Sequence, residues 1–63
     1  MPIIQAFLLE GRTQEQKAAF IEAVTDAAVR TVNVAPESVR VIITEMPKAH
    51  FGIGGRSAAD LGR

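Results

Sequence analysis

Pro2, Arg12, Arg40, His50 and Phe51 are the residues of this chain whose chemistry packing alone explains least. Proline has no amide hydrogen to give a sheet and a fixed φ. Ahead of the apolar run IIQAFLL at 3–9 it fits a strand's first residue or edge and adds nothing to the pairing. Removal of Met1, which a small second residue normally permits, would turn the Pro2 nitrogen into a free secondary amine. An α-amino group has a reference pKa of about 7.7–8.0, lower again among apolar neighbours, which suits a general base near neutral pH. While Met1 stays attached, the same nitrogen is an amide and no base. End-stop and base both stand as readings of Pro2.

Arg12 follows Gly11 just after the first apolar run, and Arg40 sits in a second one, VRVIITE at 39–45. An arginine inside an apolar strand loses hydration unless an anion meets it, and its planar fork suits carboxylates. Arg40 therefore either pairs with Glu10, Glu37 or Glu45 or waits for an anionic ligand; Arg12 is either a solvated loop residue or a second anion contact. Together they suggest a binder of dianions. Phe51 is either packing or an apolar wall that keeps water from a site. His50 has no companions at metal-ligand spacing and reads as structural or solvated. GIGGR at 52–56 lacks the lysine and spaced glycines of a phosphate loop and reads as a flexible stretch. No serine–histidine–acid pattern accompanies these residues.

The elements that must position them follow from periodicity. Residues 3–9 are apolar enough for a strand buried on both faces. Thr13 and Gln16 have capping-box spacing, so a helix should start at Gln14. It runs to about Val32 with an apolar stripe of Ala18, Ile21, Val24, Ala28 and Val32, widened by Phe20 and Ala27. Asn33 and Pro36 stop it, and residues 35–38 read as a turn or a short helical start. Residues 39–45 alternate, with Val39, Val41 and Ile43 on one face and Arg40, Ile42 and Thr44 on the other.

Strand, helix and strand make a β-α-β unit of the α/β (α+β) class with parallel strands and a right-handed crossover. Parallel pairing puts Arg12 and Arg40 at opposite ends of one subunit, so a site using both must borrow from two chains. Beyond Pro47, four glycines between 52 and 62 predict a turn, a short hairpin or arm through His50–Gly54, and a weakly ordered end.

Sixty-three residues allow one domain, 1–63, whose own core supplies at best roughly 3–5 kcal/mol. There is no cysteine to staple it, yet 48% of the residues are hydrophobic. One helix covers one face of two strands, leaving the other face and two edges bare, so the chain is expected to self-associate. Seven Lys plus Arg balance seven Asp plus Glu, so no basic field favours nucleic acid or anionic lipid. No apolar run reaches the roughly 20 residues of a membrane span, and the start lacks the pattern of a signal peptide; the expected location is cytoplasmic.

Pro2, LEGR at 9–12, EQK at 15–17, SVRVIITEM at 38–46 and HFGIGG at 50–55 together resemble the 4-oxalocrotonate tautomerase family. The resemblance spans nearly the whole chain. It implies dimers with four-stranded sheets within a homohexamer, a trimer of dimers, and a reaction without metal or cofactor, in the setting of aromatic hydrocarbon catabolism. Pro2 would shuttle a proton on an enolisable keto diacid, converting 2-hydroxymuconate to 2-oxo-3-hexenedioate. Arg12 would hold the far carboxylate. Arg40 of a neighbouring subunit would bind the 2-oxygen and the adjacent carboxylate, and Phe51 would keep the amine's surroundings apolar. Related dehalogenases carry an acid in the HFGIGG region where this chain has Ile53, which lowers hydration or dehalogenation to an alternative. A non-catalytic oligomeric binder of small anions is the alternative if Met1 is retained.

Overall fold

The computed structural model describes the whole chain, residues 1–63. Strand β1 (Ile3–Leu9) leads through Gly11 into helix α1 (Gln14–Val32). A single 3-10 turn, Pro36–Ser38, precedes strand β2 (Arg40–Met46), and another, Lys48–His50, precedes the short strands β3 (Gly52–Ile53) and β4 (Arg56–Ser57). β1 and β2 pair in parallel from Ile3↔Arg40 to Leu9↔Met46, and β3 and β4 form an antiparallel hairpin.

The helix starts where its capping chemistry dictates. Thr13 Oγ1 accepts from Gln16 N–H at 3.1 Å, and Gln16 Oε1 accepts from Thr13 N–H at 2.9 Å, so two amides that α1 leaves unpaired are satisfied reciprocally. It ends at Asn33, whose φ of 56° and ψ of 57° place it in the left-handed conformation that closes helices. Lys17 near the start of α1 reaches Glu45 near the end of β2 at 2.9 Å, a cross-element pair that fixes helix over sheet.

Partners in the parallel register share a face. Ile4, Ala6 and Leu8 with Val41, Ile43 and Glu45 lie under α1; Ile3, Gln5, Phe7 and Leu9 with Arg40, Ile42, Thr44 and Met46 make the other face. Strand β1 is accordingly half-buried and exposed by turns rather than covered on both sides, as its unbroken apolar run suggested. On the open face Ile3 is 64%, Phe7 65% and Ile42 45% exposed. The helical stripe also differs, since Ala18, Phe20, Ile21 and Val32 remain exposed while Val24, Ala27 and Ala28 are covered. Nineteen helical residues span about 28 Å and seven strand residues about 23 Å, so the helix overhangs its sheet.

Only Ala28, Val39 and Ala58 are buried, and no large side chain is. The chain measures 42 × 24 × 14 Å with a radius of gyration of 14.6 Å, against about 10.6 Å for a compact chain of this length. What should be a core is instead a surface.

The expected weak order after the hairpin is not what the structure has. Gly54 and Gly55, with φ of 60° and 88°, make the two-residue turn that twisted hairpins require, which is a specific conformation rather than a flexible stretch. Ser57 Oγ then accepts from Asp60 N–H at 3.1 Å, Leu61 N–H donates to Ser57 O, Gly62 N–H to Ala59 O and Arg63 N–H to Ala58 O. A serine starting a turn and a small alanine that can be wholly buried hold this end where glycine content alone predicted looseness.

Candidate active site

Pro2 is half-buried at the mouth of β1, and its carbonyl accepts from Arg40 N–H at 3.0 Å. The ladder thus uses the oxygen of Pro2 and asks nothing of its nitrogen. Because the strands run parallel, this bond also sets Arg40 beside Pro2 within one chain. The Arg40 guanidinium donates through Nη1 to Glu37 O at 2.6 Å and Val39 O at 3.4 Å. Both partners are backbone carbonyls; none of Glu10, Glu37 and Glu45 supplies a carboxylate, and Glu45 is taken by Lys17. The ion-pair reading of Arg40 is therefore replaced by one in which its charge is oriented but not neutralised.

Arg12 stands at the opposite end of the sheet, separated from Pro2 by the whole of β1, about 23 Å. Gly11, at φ 124°, adopts a conformation that side chains rarely allow and turns the chain out of the strand toward the cap of α1. Arg12 Nη1 donates to Leu9 O at 3.0 Å, again a carbonyl and again no carboxylate. Arg12 borders a cleft of about 180 Å³ lined also by Leu8, Gln16, Lys17 and Phe20. Arg12 also borders a cleft of about 420 Å³ shared with Leu9, Glu10, Gly11, Gln16, Lys48 and Arg63.

Phe51 follows the Lys48–His50 turn, donates its N–H to Lys48 O and leaves its ring 41% exposed. A single copy thus joins Pro2 to Arg40 at one end and leaves Arg12 at the other, with Phe51 beyond the Lys48–His50 turn; it does not bring the four together. His50 is exposed and ends the short 3-10 turn. Nothing in the sequence marks Lys48 and Arg63, which are fifteen residues apart and share no motif; only the backfolded tail brings them to one cleft.

Known proteins resemble this chain in sequence and in fold. The family model for the tautomerase enzyme matches residues 2–61. The chain is 57% identical to a 2-hydroxymuconate tautomerase of Stutzerimonas stutzeri over 63 residues, covering 100% of both. A solved 4-oxalocrotonate tautomerase isozyme from Methylibium petroleiphilum superposes with a TM-score of 0.93 at 49% identity, over 97% of this chain and 95% of that one. A heterohexamer 4-oxalocrotonate tautomerase from Chloroflexus aurantiacus J-10-fl gives 0.91 at 41% identity, over 97% and 98%.

Proposed function

The chain belongs to the tautomerase family of enzymes, and from that premise we propose that it moves a proton along an enolisable, unsaturated keto diacid of the 2-hydroxymuconate type, without a cofactor. Membership in a family of enzymes sets aside the reading as a non-catalytic scaffold. The observation that carries the substrate class is a pair of guanidiniums, Arg12 and Arg40, oriented by backbone carbonyls and left without a carboxylate in their own chain.

With Met1 removed, the Pro2 nitrogen is a neutral amine. It takes the 2-hydroxyl proton of the dienol, the electron pair of the resulting dienolate moves through the conjugated carbons as the 2-oxygen becomes a carbonyl, and the protonated amine returns the proton to the carbon next to the far carboxylate. The Arg40 beside Pro2 turns its guanidinium back to the Glu37 and Val39 carbonyls of its own chain, and in this reading it is Arg40 of a neighbouring subunit that binds the 2-oxygen and the carboxylate beside it, where charge develops. Arg12 holds the far carboxylate and draws electron density toward it, and Phe51 limits the water around the amine.

The same reading requires assembly. Arg12 cannot reach its own Pro2, so it must arrive from another copy, and a two-fold pairing with antiparallel β1 edges places the end of one β1 beside the start of the other. That pairing gives a four-stranded sheet, and stacking three such dimers through the Ile3, Phe7 and Ile42 face gives a homohexamer.

Intact mass and kinetics test the proposal together. The active protein should lack one methionine. Pro2→Gly should lower kcat for 2-hydroxymuconate by about 100-fold or more with an unchanged circular dichroism spectrum. Equal turnover by both proteins, or an active form that keeps Met1, would overturn it.

A further inference from the structure

Cationic side chains converge where the tail folds back on the loop after β1. Pairing continues one step beyond the strands, with Glu10 N–H donating to Met46 O at 2.9 Å, so Gly11 and Arg12 run close to Pro47 and Lys48. The tail is fastened to the same turn. Ala59 N–H donates to Lys48 O at 3.3 Å, Ala58 N–H to Phe51 O at 2.7 Å and Arg63 N–H to Ala58 O at 2.9 Å, around an Ala58 that is 0% exposed. The result is the cleft of about 420 Å³ that Arg12, Lys48 and Arg63 share.

Three of the chain's seven basic side chains face this cleft, against one acidic side chain, Glu10. None of the three has an ion-pair partner, although Lys17 finds Glu45 and Arg30 finds Asp26. In a chain whose formal charge is zero, this local excess is a property of the fold and not of the composition. Like charges held together repel one another and gain most when an anion enters between them.

We propose that Lys48 and Arg63 form a cationic collar around Arg12 that makes the enzyme select substrates by the charge on their far end, favouring a second carboxylate over an uncharged group. The inference rests on the reading of Arg12 as the contact for the far carboxylate. A cleft of this volume holds a carboxylate with some of its water, so the collar acts at longer range than the Arg12 fork. Its effect therefore falls on affinity and is screened by salt.

Muconate and sorbate are six-carbon dienes that differ by one carboxylate, and calorimetric binding of each to the intact protein reads the preference without requiring turnover. The wild type should bind muconate about tenfold more tightly, and Lys48→Gln with Arg63→Gln should reduce that ratio about fivefold while sorbate affinity moves less than about twofold. Raising salt from about 20 to about 200 mM should shrink the ratio in the wild type and barely change it in the double variant. Lys48→Arg with Arg63→Lys, which keeps both charges, should restore the preference and guards against a merely structural loss. An unchanged ratio, or equal losses for both probes, overturns the collar. Turnover of 2-hydroxymuconate is measured beside it: a wild type that prefers muconate yet turns over no enol sinks the tautomerase reading and leaves the collar, whereas turnover with no muconate preference sinks the collar alone.

Discussion

Arg40 shows how an apolar strand tolerates a guanidinium without neutralising it. Carbonyls of Glu37 and Val39 take part of its hydrogen-bonding capacity and fix its direction, while the positive charge remains available to an anion. Replacing it by alanine removes a charge-stabilising donor from the developing oxyanion, and kcat/KM for 2-hydroxymuconate should fall about 100-fold or more, with KM and kcat both affected. Steady-state kinetics check this, and unchanged constants would take Arg40 out of the site. Pro2 makes the complementary point. Its carbonyl does the pairing and its nitrogen has no structural duty, so a reactive role for that atom costs the sheet nothing. Both residues could be picked from the sequence because each is the wrong type for a purely structural strand. Lys48 and Arg63 could not, because surface cations are common and nothing in their spacing marks them.

At the scale of elements, α1 was readable to the residue because its limits are set locally. The Thr13–Gln16 capping box and the left-handed Asn33 lie within one turn of the ends they define. Thr13→Ala removes one half of the box and should cost about 1 kcal/mol, read as a lower midpoint in urea unfolding with the slope unchanged. Arg12 precedes the cap directly, so the same change should also raise KM modestly; a loss of stability at constant KM would mean that Arg12 is held by Leu9 alone. Strand β2 runs one residue later than alternation suggested, Arg40–Met46 rather than 39–45, because Val39 closes the preceding 3-10 turn by donating to Pro36 O. The tail departs further from expectation. Glycine content predicts freedom, but the contacts of Ser57 and Ala58 are specific to the fold and invisible in composition.

The whole molecule is incomplete as one chain. Ile3, Phe7 and Ile42 lie on an open sheet face, the radius of gyration is too great for a self-contained core, and the two ends that carry the proposed site residues are a strand's length apart. Phe7→Asp puts a charge in the middle of that face and should yield a smaller species by sedimentation, with turnover of 2-hydroxymuconate lost in proportion to dissociation. Full activity in a dissociated variant would contradict a site shared between copies. The amino-acid order by itself determined the strands, the helix with its ends, the parallel pairing and the unusual residues, because each rests on periodicity or on contacts a few residues apart. Tertiary structure alone decided which carbonyls orient the two arginines, which sheet face stays bare, and how the tail brings Lys48 and Arg63 to Arg12, because those depend on where distant segments meet in space.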